Sequence, residues 1–213
     1  MSTQFEKNFE ALVKERRSAA KFIPGVEISM KELEDMLSLV KFAPSAFNLQ
    51  HQHYIVVRDP EAKQKVYEAT GKQYKVETAS AVLVVLGNTE AYKDAARINE
   101  GLLNLGVLNK QEYEATVGMI EGFYEGRGES FKREEAIRNA SLSAMLFMLI
   151  AKDRGWDTCP MIGFDPQALS ASLNIPDSHV PVIMISLGKE DTSSQTPRGY
   201  RKPTGEYVSY DSF

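Results

Sequence analysis

Apolar residues recur along the chain at two spacings, one helical and one extended. The stretch at 131–155 reads FKREEAIRNASLSAMLFMLIAKDRG, charged at first and then apolar from Ala144 to Ala151 on every side. A helix apolar all round is covered all round, and this run is too short to span a bilayer. The pattern predicts a central core helix. Ala136, Ala140 and Ala144 stand four apart and share a face small enough for another backbone to come close. Gly155 is placed to cap the helix, since glycine enters the left-handed region without strain. Further back, Phe5, Phe9, Leu12 and Val13 predict an amphipathic helix over 3–16. Ser29 and Glu32 have the spacing of a capping box ahead of Leu33, Met36, Leu37 and Val40, a helix that Pro44 stops. Asp59-Pro60 opens a helix ending at Gly71, and Asp165-Pro166 opens a short one with Leu169 and Leu173 on its apolar side.

Continuous β-branched and apolar runs mark the strands. Residues 54–57 and 81–86 read as buried strands, 180–187 as a third closed by Gly188, and WDTCPMIGFDP after the core helix runs briefly extended into a glycine-containing turn. Pro181 places the start or edge of its strand there. Residues 90–128 are the least regular. Leu102, Leu103 and Leu105 indicate helix, whereas Gly118, Gly122, Gly126 and Gly128 surround MIEGFYEGRG, which reads as a mobile loop in a helical excursion spanning 90–130, a candidate lid. The tail at 189–213 is polar and holds Pro197, Pro203 and Gly205, an arm that must pack on something else. Five or six helices and about four strands, only partly alternating, give one α+β domain over 1–213.

Composition narrows this picture. The 213 residues suffice for a full core, and a net charge of −4 gives no reason to expect nucleic acid. The single cysteine, Cys159, forms no intrachain disulfide and fits a reducing compartment. No signal peptide or membrane-spanning run stands out, so a soluble cytoplasmic protein is expected.

Recognisable catalytic side chains are scarce. His51 and His53 stand two apart, but a metal needs a third ligand and usually a fourth, and His179 and Cys159 have no motif around them; no metal is expected. G-x-S-x-G, G-x-G-x-x-G after a strand and the P-loop pattern are all missing. That absence points to a cofactor that brings its own reactivity. Arg16-Arg17-Ser18 and the tail's Arg198, Arg201 and Lys202 are two basic clusters able to meet around an anion, because guanidinium forks match phosphate oxygens. The loop APSAFNLQ at 43–50 offers small residues and two amides, suited to a polyol chain or a heterocycle edge.

Taken together, RRS at 16–18, APSAFNLQ at 43–50, RNASLSAMLFMLIAKDRGWDTCPMIGFD at 138–165 and RGYRKP at 198–203 resemble the FMN-dependent nitroreductase family, over nearly the whole chain. The resemblance implies a central mixed β-sheet flanked by helices and an intertwined homodimer with FMN at the subunit interface. By that likeness Arg16 and Ser18 hold the FMN phosphate with Arg201 and Arg198, and Arg17 lies against the flavin polar edge or ribityl. Pro44, Ser45, Ala46 and Asn48 reach the flavin of the partner subunit. Gln73, with Lys75, meets the pyrimidine edge. Pro160, Met161, Ile162 and Gly163 lie along the isoalloxazine, with a backbone N–H of Ile162 or Gly163 at N5. Three departures stand out: Ala20, followed by Lys21, where relatives often carry a base; His51-Gln52 in place of Pro-Trp; and Ile162 where some relatives have Glu.

The implied activity is transfer of hydride from NADH or NADPH through flavin N5 to a nitroaromatic or quinone-like acceptor, with ping-pong kinetics and no catalytic side chain. Reductive dehalogenation or flavin fragmentation on the same fold, and an FMN-binding protein without turnover, stay open beside it. The alanine face is expected to form a close dimer seam. The tail is expected to embrace the partner with Tyr207-Val208 as an added strand, and Phe123 and Tyr124 either to stack on an acceptor from the tip of the glycine-flanked loop or to pack on the subunit surface.

Overall fold

The computed structural model of the protein describes residues 9–213. Its centre is the apolar strand β2 (Ala81–Asn88), which pairs antiparallel with β1 (Gln52–Val57) on one side and β4 (His179–Gly188) on the other; β3 (Asp157–Met161) closes the far edge, giving the order β1-β2-β4-β3. Side chains of a strand alternate between faces. Leu83 and Val85 of β2 accordingly join one core with α2 (Met30–Val40) and α7 (Gly128–Asp153), while Val82, Val84 and Leu86 join a second with α3 (Pro60–Ala69), α4 (Tyr74–Thr78) and α8 (Pro166–Leu173). A strand covered on both faces has no polar position to spare, which is why 81–86 is apolar without a break.

The α+β class stands, with one difference in the sheet. All its strand pairs are antiparallel, and among the described residues the one parallel contact is the bridge between Ser18 and Thr158 at its edge. Pro181 sits inside an inner strand, but at the irregularity between Val85 and Leu86, and beyond the reach of β3, whose pairing with β4 stops at Met184. Its missing N–H therefore costs no regular ladder bond.

Helix boundaries follow their caps. Ser29 and Glu32 form the expected box, and Asp59 and Asp165 each accept backbone N–H bonds ahead of Pro60 and Pro166. At the end of α7, Gly155 adopts φ +76°, with Gly155 N–H bonded to Lys152 O and Trp156 N–H to Ala151 O at 2.8 Å, a complete Schellman motif. The first helix, α1, is seen as Phe9–Glu15; the earlier part of the expected 3–16 helix, Phe5 included, lies outside the described residues.

Four expectations are corrected. The described residues hold eight α-helices rather than five or six. The alanine face of α7 is no dimer seam. Ala136, Ala140 and Ala144 are buried within the chain, and a Cβ added to Gly87 of β2 would lie 2.6 Å from Ala136 O, so the small residues let helix and sheet approach each other. Nor is 144–151 covered on every side by its own chain, because Met145 is 42% exposed and Leu142, one turn before it, 46%. Finally, MIEGFYEGRG is no loop: 90–128 folds into α5 (Ala95–Asn104) and α6 (Lys110–Glu125), and Gly118 and Gly122 lie inside α6 with no positive φ. Asn109 and Glu112 supply a reciprocal capping box at its start. The tail holds two 3₁₀ turns, Thr192–Ser194 and Thr204–Glu206. The N–H groups of Tyr207 and Val208 both donate to Thr204 O.

Candidate functional site: a cationic corner beside the outer strand

After α1 the chain runs extended along the edge of β3. Ser18 bridges Thr158, and Ala19 N–H donates to Thr158 O at 2.9 Å. Ala19 and Phe22 are buried, and Gly188 makes room for the Phe22 ring, which a Cβ there would meet at 2.7 Å. The segment is thereby fixed, and the half-buried Arg16 and Arg17 and the exposed Ser18 stand beside residues 158–161. The Ala20 N–H is taken by Glu190 Oε1 at 3.0 Å.

Two guanidinium nitrogens here lack partners. Arg16 Nη1 and Arg17 Nε are buried without a hydrogen bond. A buried donor without an acceptor is costly, more so when charged. Burial first, and then the guanidiniums of Arg198 and Arg201, push the Arg16 guanidinium below its ordinary value. Arg17 Nη2 donates to Thr196 O at 2.7 Å, and Arg201 Nη1 bonds to the carbonyls of its own neighbours, Gly199 and Tyr200. The guanidiniums of Arg16, Arg198 and Arg201 thus converge, and Arg16 and Arg17 each keep a buried donor unused. Behind them Lys75 Nζ lies 3.3 Å from the buried Cys159 Sγ.

The turn after β3 supplies the second half. Pro160 is half-buried, Met161 is buried in the core, Ile162 is 79% exposed and Gly163 is exposed. Gln73 Nε2 donates to Gly163 O at 2.5 Å, which fixes the turn to the start of α4. The N–H groups of Ile162 and Gly163 donate no hydrogen bond among the described residues. A cleft of about 630 Å³ lined by Ala20, Lys21, Gln73, Tyr74 and Lys75 opens alongside.

The loop at 43–50 is elsewhere in the chain. It leads into β1, three strand spacings from β3, or about 14 Å across the sheet. Phe47, Asn48 and Gln50 all have positive φ, near 50° to 56°. Such backbone persists only where its surroundings over-determine it. Here Asn139 Oδ1 accepts from Ala46 N–H at 2.8 Å, Ser45 Oγ accepts from Gln50 N–H at 2.9 Å, and the Phe47 ring packs edge-on against Phe123 at 5.3 Å and Tyr124 at 6.3 Å. Pro44 and Asn48 remain exposed.

The sequence model of the nitroreductase family matches residues 13–189. The chain belongs to the nitroreductase family. It is 58% identical over 202 residues to the Bacillus subtilis protein MhqN, provisionally named an NAD(P)H nitroreductase, covering 95% of this chain and 98% of that one. It is 32% identical over 177 residues to the enone reductase of CLA biosynthesis in Lactiplantibacillus plantarum, covering 82% of each. A crystal structure from Exiguobacterium sibiricum, provisionally named a nitroreductase and solved in complex with FMN, superimposes with a TM-score of 0.88 at 27% identity, covering 98% of this chain and all of that one.

In this nitroreductase-family chain the expected residues fall into two groups. Arg16, Arg17, Ser18, Gln73, Lys75, residues 160–163 and the tail arginines gather at the β3 edge; Pro44, Ser45, Ala46 and Asn48 stand at the β1 edge. Phe123 and Tyr124 are side chains of a packed helix behind that loop, and Tyr124, only 1% exposed, has no free face for an acceptor. His51 and His53 meet different partners: His51 is buried against Tyr124, 3.3 Å from its hydroxyl, whereas the exposed His53 stacks edge-on to His179 at 5.5 Å. Asn139 was missed as the anchor of the loop. Its signal was a lone amide among the alanines of a core helix, which must find a partner when buried.

Proposed function

We propose that the protein is an FMN-dependent oxidoreductase that takes hydride from NADH or NADPH and delivers it to a nitroaromatic or quinone-like acceptor. The observation that carries this is the pair of buried, unpartnered guanidinium nitrogens on Arg16 and Arg17, in a corner where two further arginines converge. A terminal phosphate with about two negative charges fits such a corner, each charged hydrogen bond contributing roughly 1.5–3 kcal/mol. Bound FMN would supply reversible hydride acceptance at N5, chemistry that no side chain here offers.

The chain's own part is positioning. Arg16 and Ser18, with Arg201, would hold the phosphate, and Arg17 would lie nearer the ribityl chain. Gln73, by fixing the Gly163 carbonyl, leaves the unused N–H groups of Ile162 and Gly163 to face the flavin edge. Because Pro44, Ser45, Ala46 and Asn48 stand at the opposite edge of the sheet, their flavin contacts would be made to a second subunit, in a homodimer. Leu142 and Met145 are the apolar residues α7 leaves for that subunit to cover. A single buried cysteine suits work in the reducing cytoplasm.

The test is flavin absorbance after NADH or NADPH is added under nitrogen to FMN-loaded protein, followed by a nitroaromatic or a quinone. Bleaching and then recovery is expected. Bound FMN that stays yellow with both nicotinamides would sink the oxidoreductase reading and leave a binding protein.

A further inference from the structure

Arg198 belongs by sequence to the cations of the corner, yet its hydrogen bonds go elsewhere. Its Nη2 donates to the carbonyl of Lys14, and Nη1 and Nη2 each reach the Arg16 carbonyl at 3.3 Å. Lys14 lies in the last turn of α1, and Arg16 follows its end. Carbonyls at a helix C-terminus have no intrahelical donor and carry the negative end of the helix dipole. A planar guanidinium fork can satisfy two of them at once, whereas an ammonium is a point charge with no such span. A second tie runs the other way, from Arg17 Nη2 to Thr196 O. The tail and the arginine pair therefore clasp each other through backbone atoms on both sides. Arg201 is different, since among the described residues its hydrogen bonds reach only the carbonyls of Gly199 and Tyr200, within its own segment.

We propose that Arg198 is a positioning residue: it fastens the tail to the carbonyls that end α1, fixing the backbone from which Arg16 and Ser18 reach the cofactor phosphate, and is not itself a phosphate ligand. This rests on the FMN reading above. It also assigns the tail a task within its own subunit. The arm closes the helix end on which the phosphate grip depends, so loss of the clasp loosens the grip without removing a contact to the cofactor.

The experiment titrates cofactor-free protein with FMN and with riboflavin, which lacks the phosphate, by flavin fluorescence, for wild type, Arg198→Gln and Arg198→Lys. Both variants are expected to bind FMN about tenfold more weakly, the scale of one charged interaction, with riboflavin affinity nearly unchanged. Lysine keeps the charge and loses the fork, so wild-type FMN affinity in Arg198→Lys would show that charge alone suffices and overturn the positioning role. Equal weakening toward FMN and riboflavin would overturn it too, because a general loosening does not single out the phosphate. Thermal melts of the cofactor-free proteins check folding; should Arg198→Gln unfold, Arg198→Lys decides alone. Wild-type protein with no affinity for FMN would overturn the cofactor reading and this role with it, whereas intact FMN binding in both variants overturns only the role of Arg198.

Discussion

Beside β3, Arg16 and Arg17 bury guanidinium nitrogens without a hydrogen bond, and the turn at 162–163 holds out two unused N–H groups. Beside β1, the loop at 45–50 is strained at three positions, yet its backbone is tied by Asn139 and Ser45 and its one aromatic side chain, Phe47, is packed on aromatic rings. The first region is chemically unfinished; the second is mechanically finished, although the Nδ1 of the buried His51 also lacks a hydrogen bond. Polar groups left unsatisfied at a fixed spot point to a ligand that satisfies them, and strain held rigidly points to a shape that must be presented unchanged. A substitution at the β1 edge should therefore act through stability, and one at the β3 edge through affinity.

The largest effect is expected where the second region is densest. Tyr124 stacks on Tyr92 at 5.3 Å and touches Phe47, Phe123 and Phe131. Tyr124→Ala should lower unfolding stability by about 3–5 kcal/mol, the usual cost of deleting a buried aromatic ring. Urea unfolding measures it. A loss below about 1 kcal/mol, the level of a surface change, would mean that the cluster is not what holds the loop.

How far this contrast was legible from sequence depends on whether a signal was local. The Ser29–Glu32 capping box, the Asp-Pro starts and the Gly155 cap depend on residues within a few positions of each other, and they reappear in place. The unbroken apolar run of β2 announced burial on both faces for the same reason. The helix α6 was hidden by Gly118 and Gly122, each disfavoured in a helix by about 1 kcal/mol relative to alanine. Its capping box, Asn109 with Glu112, was nonetheless in plain view. The alanine face of α7 could not be assigned from spacing alone, since small residues serve a sheet as well as a second helix; the deciding residue was Gly87, far away in sequence. In the site, Arg16-Arg17-Ser18 and 160–163 lie along the same sheet edge, a grouping that only the family resemblance suggested, while the tasks of Asn139 and Arg198 depend on which carbonyl or amide lies opposite, which no local pattern encodes.

A smaller effect, and one of affinity, belongs to the first region. Arg16→Ala should weaken FMN binding by roughly 2–3 kcal/mol, the scale of a charged hydrogen bond. Stability without FMN should hold or rise slightly, because the substitution removes a buried donor that has no partner and a cation crowded by Arg198 and Arg201. Dialysis followed by flavin quantitation, with a melt of the cofactor-free protein, separates the two. Full flavin occupancy in the mutant would count against the phosphate assignment.

The smallest effect is a pH dependence confined to the aromatic side. His51 is buried beside Tyr124, and burial pushes its imidazole down to about 4 from the ordinary 6.5. The folded protein therefore keeps His51 neutral while the unfolded chain protonates it. Above the unfolded value both states are neutral and the histidine has no influence. As pH falls from 6.5 toward 4 the unfolded state gains a proton that the folded state refuses, so stability drops, by about 2 kcal/mol between pH 7 and pH 5. His179 is also pushed down by burial and titrates in the same sense, so the absolute loss does not isolate His51. His51→Gln does, since glutamine keeps a hydrogen-bonding group near the Tyr124 hydroxyl and cannot titrate. Urea unfolding at pH 7 and pH 5 should show the wild type losing about 2 kcal/mol more than the variant. Equal losses would show that the β1 edge takes up a proton without strain, and the contrast between a finished and an unfinished region would fail on its finished side.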